Sequence, residues 1–286
     1  MPGPIAVTGA GGGIGGRVAR RLSASGIDPV LIVRHPSQAP NLPNAPVRLA
    51  SYEDEKAMAA SLAGVETLML VSGREHANRI EHHRSAVRAA VEAGVDRVVY
   101  LSFLNAGPQA TFTFARDHFH TEELIRASGM EHTFLRDSLY ADVAPHLVVG
   151  GTIKGPAGAG RVSWVSRDDI ADVALEVLTE GGHTGITYDL TGPDAITLEE
   201  TASILSTVCG VGVVYLEETI EEAWESRAVY DAPAWEVEGW ISTYTAIAAG
   251  EMETVSDDVA RLSGHPAATL FESLNRDPDL WRHLTK

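Results

Sequence analysis

Val7-Thr8-Gly9-Ala10-Gly11-Gly12-Gly13-Ile14-Gly15-Gly16 is the stretch on which the fold turns. An apolar run from Pro4 to Thr8 leads into it. Ile14, Val18 and Leu22 follow at four-residue spacing, which puts them on one face of a helix. Strand, glycine-rich turn and amphipathic helix in that order are the context a dinucleotide fingerprint needs. Gly9 permits the tight turn, Gly12 leaves room for backbone to approach a pyrophosphate, and Gly15 lets the helix pack closely on the strand. Free N–H groups and the positive end of the helix dipole then face the anion. Thr8, Gly9, Gly11, Gly12, Gly13, Ile14 and Gly15 are therefore the first expected cofactor contacts.

Outward from the turn, short β-type runs recur at Pro29 to Val33, Val47 to Leu49, Thr67 to Val71, Arg97 to Ser102 and Glu131 to Leu135. Several are apolar at successive positions, as parallel strands covered on both faces are. Helical segments lie between them, one marked by Ile80, Val87 and Val91. This alternation predicts an α/β chain built on a Rossmann-type, doubly wound parallel sheet. The second half changes character. Residues 149–163 are glycine-rich and read as a loop or short hairpin, and a helix starts near Ser166, with Asp168 and Asp169 as helix-starting acids. A strand at Ile186 to Leu190 returns to the main sheet. Helix (Thr197 to Val208), strand (Val211 to Leu216) and mostly helix follow. The expected division is 1–148 plus about 166–192 for an NAD(P)-binding domain, with about 149–165 plus 193–286 as a smaller, mostly helical substrate domain.

Composition narrows the function. A net charge of −17 without any basic stripe argues against a nucleic-acid partner and suits a neutral or apolar substrate. Cys209 is the single cysteine, so no internal disulfide is expected and a reducing, cytoplasmic setting is. Neither a signal peptide nor a membrane span is supported. With one cysteine and no His-x-x-x-His pair, no metal site is expected.

Arg34 ends the second strand, where NAD enzymes usually carry an acid for the ribose hydroxyls. Its guanidinium suits a 2′-phosphate, so NADP(H) is preferred and NAD(H) remains possible; the other reading is a solvated strand-end charge.

With these residues, the chain resembles the NmrA-like atypical short-chain dehydrogenases/reductases, within them the NADPH-dependent quinone oxidoreductase and triphenylmethane reductase branch. The likeness runs through the Gly9-x-x-Gly12-x-x-Gly15 turn, Leu31-Ile32-Val33-Arg34, Leu70-Val71-Ser72-Gly73, Ala115-Arg116-Asp117-His118-Phe119-His120-Thr121-Glu122 and Thr133-Phe134-Leu135-Arg136-Asp137-Ser138-Leu139-Tyr140. It continues in Ser256-Asp257-Asp258 and Ser263-Gly264-His265-Pro266. The resemblance implies that Val71 and Ser72 pass beside the cofactor, with Ser102 and Phe103 at the next strand end. It puts His118 where many relatives carry the lysine that holds the nicotinamide ribose, and Tyr140 where it could face the substrate.

The usual Tyr-x-x-x-Lys pair is missing: Phe114 and His118 stand at its place. Tyr52 and Lys56 have the spacing but follow the third strand, on the adenine side, and read as coincidence. Ser51 stands there where many relatives have an Asp against adenine. The candidate catalytic residues are His118, Tyr140 and Ser102. His118 is a ribose-binding or proton-relay group, or else a helix-surface histidine. Tyr140 is a proton donor or substrate contact, or else a packed aromatic. The leading reading is an NAD(P)H-dependent reductase of a quinone, an aromatic (polyketide-like) ketone or a similar conjugated acceptor, acting alone or as a homodimer. The rival is a nicotinamide-sensing regulator that catalyses nothing.

Overall fold

The computed structural model describes residues 3–285. The chain runs β1 (Ile5–Thr8), α1 (Gly15–Ala24), β2 (Val30–Val33), β3 (Val47–Leu49), α2 (Glu55–Ser61), β4 (Thr67–Leu70), α3 (Arg79–Glu92), β5 (Arg97–Phe103), α4 (Thr113–Ser128) and β6 (Glu131–Asp137). There follow β7 (Val148–Val149), β8 (Thr152–Gly155), β9 (Arg161–Val162), α5 (Arg167–Thr179), β10 (Thr187–Leu190), β11 (Ile196–Thr197), α6 (Leu198–Cys209) and β12 (Val214–Glu217). Helices α7 (Ile220–Arg227), α8 (Ala234–Ala248), α9 (Asp258–Ser263) and α10 (Leu270–Arg276) complete it.

Seven strands form the main sheet in the order β10-β6-β5-β4-β1-β2-β3. β1 lies parallel to both β2 and β4, and the order reverses beside it, so the carboxyl end of β1 is the crevice where open sheets take ligands. Strands β1, β2 and β4 are buried at every position because helices cover both faces, which is why they read as unbroken apolar runs. β3 is the edge, and there Val47 and Leu49 are exposed. Helix α1 packs beside α5, strapped by Arg17 to Asp168 (3.1 Å) and by Arg21 to Asp168 and Asp172 (3.0 and 2.6 Å). The core beneath α2 and α3 includes Met58, Leu62, Leu68, Leu70, Val87, Tyr100 and Phe134.

Two compact units emerge: residues 3–103, 117–136 and 167–188 in the first, and 104–116, 137–166 and 189–285 in the second. Residues 104–116 and 137–148, grouped with the nucleotide domain on sequence, cluster with the second. Local bonding is the reason: the Leu104 N–H donates to the Asp137 carbonyl (2.8 Å), and Thr111 donates to the Glu251 carboxylate from both N–H and hydroxyl. The second unit also carries a three-stranded sheet, β12-β8-β7. Its hairpin turns at Gly150-Gly151, both at positive φ (57° and 77°), the geometry that closes a two-residue loop without steric cost. Among the described residues, no helix is long and apolar enough to cross a membrane.

Candidate dinucleotide site

The glycine turn is built as its spacing demands. Gly9 sits at φ +58°, a conformation that other residues adopt with strain. A Cβ on Gly15 would lie 2.4 Å from the Gly9 carbonyl oxygen and 2.7 Å from that of Thr8, so α1 can approach β1 only through a glycine. Gly11 is pressed against the Gln38 backbone and Gly13 against the Arg167 guanidinium (each 2.5 Å from a built Cβ). At Gly12 a Cβ meets only the Gly9 carbonyl, at 3.2 Å. A side chain at Gly11 or Gly15 would thus run into backbone, whereas at Gly13 it meets the far end of the Arg167 side chain and at Gly12 only the Gly9 carbonyl oxygen, the mildest of the four contacts. The buried Ile14 contributes backbone to this turn.

A cavity of about 240 Å³ opens beside the turn, entirely within the first unit. Gly9, Gly11, Arg34, Ser51, Val71 and Ser72 line it, with Tyr52, Arg74, Arg79 and His83. Three arginines and one acid, Glu53, are its charged lining, a local positive excess in a chain of net charge −17. Arg34 is exposed and makes no ion pair among the described residues, as a group awaiting an anion would be.

Thr8 also lines the cavity, with its hydroxyl engaged by protein. Its hydroxyl donates to the Met69 carbonyl (3.2 Å) and accepts the Val71 N–H (2.9 Å), tying β1 to β4. Tyr52, set aside on sequence, has its hydroxyl 2.6 Å from Thr8 Oγ1 and 2.5 Å from the Val71 carbonyl. It therefore walls the cavity and fastens the ends of two strands. Lys56 is exposed on α2, and nothing in the geometry makes the two a pair.

His118 is neither a surface residue nor on the cavity wall: it is 5% exposed, with both ring nitrogens engaged. Arg79 Nη2 donates to its Nε2 (3.0 Å), which fixes the ring proton on Nδ1, 2.9 Å from the Tyr100 hydroxyl. His83 is bonded in the same sense. Its Nε2 accepts the Gly73 N–H (2.8 Å), so Nδ1 donates to Thr121 Oγ1 (2.8 Å). Burial, and after it the Arg79 charge, hold both imidazoles neutral well below the ordinary histidine range.

The consequence for pH has a definite sign. Both folded-state values lie below the unfolded one, so the unfolded chain takes up protons first as pH falls below about 6.5. Stability is complete above that value and declines beneath it, by at most about 1.4 kcal/mol per pH unit for each histidine. Thermal melts from roughly pH 7.5 to 5 check this: His118→Gln is expected to flatten the acid slope. An unchanged slope would remove His118 from the account.

Ser102 is fully buried, its hydroxyl donating 2.6 Å to Glu122 Oε1, which Arg136 also reaches. It belongs to a buried ionic cluster, not to a cavity wall. Phe103 follows at the strand end, its ring centroid 6.0 Å from that of His118. In the second unit, the Tyr140 hydroxyl donates to Asp137 Oδ2 (2.7 Å), and Phe114 packs edge-on against Phe112 and Trp235. The residues that sequence reading passed over are Tyr52, Arg74, Arg79 and His83. Arg74, directly after Leu70-Val71-Ser72-Gly73, was the one with a local signal.

Comparison with known proteins identifies the family. Residues 9–181 match the family model described as NAD(P)H-binding. Quinone oxidoreductase 2 of Escherichia coli is 34% identical over 283 residues, covering 95% of this chain and 97% of that one. The Escherichia coli NADPH-dependent quinone oxidoreductase in complex with NADPH superposes with a TM-score of 0.86 at 32% identity, covering 99% and 100%. Triphenylmethane reductase of Citrobacter sp. gives 0.83 at 33% identity, covering 96% and 98%. The transcriptional regulator NmrA, at 16% identity and a TM-score of 0.78 over 100% and 99%, shares the fold alone.

Proposed function

This chain belongs to the NAD(P)H-binding family and is an NAD(P)H-dependent reductase, and on that premise we propose that it reduces quinones, by hydride transfer from NADPH, in the cytoplasm. The full-length similarity to quinone oxidoreductase 2 carries the reading, because it spans both units rather than the nucleotide half alone.

The residues fit the dinucleotide. The turn at Gly9 to Gly15 takes the pyrophosphate against Gly12, Arg34 takes the 2′-phosphate, and Val71 and Ser72 border the adenosine. Bound NADPH supplies the hydride.

The protein's remaining task is orientation and exclusion of water. A quinone that gains a hydride and one proton becomes a hydroquinone, whose anion is delocalised before the proton arrives. No strong side-chain acid is then required. This agrees with Phe114 at the usual tyrosine position and with Tyr140, whose O–H is already given to Asp137. Water delivers the proton on this reading.

Stopped-flow oxidation of NADPH with a panel of quinones and polycyclic ketones tests it. Fast turnover is expected with quinones and slower turnover with ketones, which need an acid. Tight NADPH binding without oxidation by any acceptor would favour a cofactor-sensing role instead.

Arg34 carries the cofactor preference. Arg34→Ala is expected to weaken NADPH binding by roughly 10- to 100-fold, the worth of a charge-assisted hydrogen bond, and to spare NADH. Equal losses for the two cofactors would separate Arg34 from the 2′-phosphate.

A further inference from the structure

Arg79 is the one arginine of the cavity lining that is buried, at 5% exposure. Two of its nitrogens are held: Nε donates to the Gly73 carbonyl (2.9 Å) and Nη2 to His118 Nε2 (3.0 Å). The third, Nη1, is buried without a hydrogen-bond partner and is held by charge alone, in an ion pair with the Asp117 carboxylate at 3.6 Å. A buried guanidinium with an unmet donor is costly, and folded proteins rarely leave one without a use.

The support around it is elaborate. Gly73 is gripped from both sides, its N–H by His83 and its carbonyl by Arg79. His118 must be unprotonated to accept from a guanidinium, and its other nitrogen is braced on Tyr100. This scaffold fixes one positive group in the cavity wall that Ser51, Tyr52 and Ser72 share.

We propose that Arg79 is a phosphate-binding residue for the adenosine end of the dinucleotide, and that His118 is the residue that positions it. A phosphate oxygen completes the donor set of Nη1, and the fork of Arg79 complements Arg34 across the same cavity. His118 thus acts through Arg79 and touches no reacting atom. The assignment rests on the dinucleotide reading above and adds to it a second cation and its support.

Calorimetric titration of the full chain with NADPH, NADH, 2′,5′-ADP and 5′-AMP tests the proposal. Arg79→Gln is expected to weaken NADPH and 2′,5′-ADP by roughly 10- to 100-fold. Parallel losses for NADH and 5′-AMP assign the contact to the 5′-phosphate, and losses confined to the 2′-phosphorylated ligands assign it to the 2′-phosphate. Unchanged 2′,5′-ADP affinity overturns the proposal, as does a loss seen only with ligands that carry nicotinamide.

Should Arg79→Gln fail to fold, Arg79→Lys keeps the charge without the fork and is expected to lose affinity by about tenfold. Wild-type affinity in that variant overturns the proposal equally. His118→Gln retains an acceptor for Nη2, whereas His118→Leu does not. Gln is expected to keep 2′,5′-ADP binding and Leu to lose it at matched melting temperature, while equal affinities in the two would deny His118 its positioning role. Failure of the unaltered protein to bind NADPH would instead refute the dinucleotide reading itself.

Discussion

Gly12→Val is expected to abolish dinucleotide binding and leave the fold intact, raising the dissociation constant for NADPH by about 100-fold or more, since branched carbon would fill the pyrophosphate space. The reasoning depends on what each glycine of the turn faces. At Gly15 any side chain would drive into the carbonyls of Thr8 and Gly9, and at Gly11 into the Gln38 backbone. Substitution there would damage the β1–α1 junction, and lost binding would follow trivially. A Cβ at Gly12 has only the Gly9 oxygen near it, at 3.2 Å, so that this one carbonyl must give by a few tenths of an ångström. Circular dichroism and thermal melting should therefore match the parent, while the fluorescence titration with NADPH goes flat. A near-normal titration would mean that the cofactor does not cross this turn. A collapsed melt would mean that Gly12 is structural after all, and Gly12→Ala, with a single methyl group, would then have to carry the comparison.

The residues legible in the sequence were those whose physics is local. The strand runs, the helix periodicity and the glycine spacing are set by neighbours a few positions away, and the seven-stranded sheet follows from them. Arg34 was legible as a strand-end charge for the same reason, since it directly follows β2. His118 stands out by position, but its burial off the cavity wall was not legible. Its partners Arg79 and Tyr100 lie 39 and 18 residues away, and no periodic signal links them. Tyr52 reads as a coincidence of spacing with Lys56 because the two follow the third strand, on the adenine side, while its actual partner, Thr8, lies 44 residues back. The small sheet of the second unit was legible in its parts, a hairpin within 149–163 and a strand over Val211 to Leu216, but not as a sheet, because β12 pairs with β8 far back along the chain and its Val214 and Leu216 are exposed. Long-range polar pairing and short, half-solvated strands share this property: their stabilising partners lie outside any window along the chain.

Ser102 is where sequence and structure give different expectations, and Glu122 is the residue that separates them. Glu122 lies at zero exposure and accepts from Ser102 Oγ (2.6 Å), from Arg136 Nε and Nη2 (2.8 and 2.7 Å) and from Arg126 Nη2 (3.0 Å). The Arg136 contact is a side-on, two-bond pair, the strongest carboxylate geometry available. Glu122→Ala removes the common acceptor from a buried hydroxyl and from both guanidinium groups, of which Arg126 keeps its pair with Glu123 (2.6 Å). Full burial of both partners would make the loss about 3–5 kcal/mol. The side chains of Arg126 and Arg136 are 37% and 22% exposed, however, and can turn to water. The expected loss is therefore about 2–4 kcal/mol, or a fall of roughly 5–10 °C in Tm. Ser102→Ala, which deletes one donor and leaves both ion pairs, is expected to cost about 1 kcal/mol and to leave turnover within about threefold of the parent. In the double variant the two losses should fall short of their sum, because the Ser102–Glu122 bond is counted in each. A Ser102→Ala protein with unchanged Tm and turnover reduced by about tenfold or more would reverse the assignment: the hydroxyl would then serve the reaction, and the cluster around Glu122 would be its support.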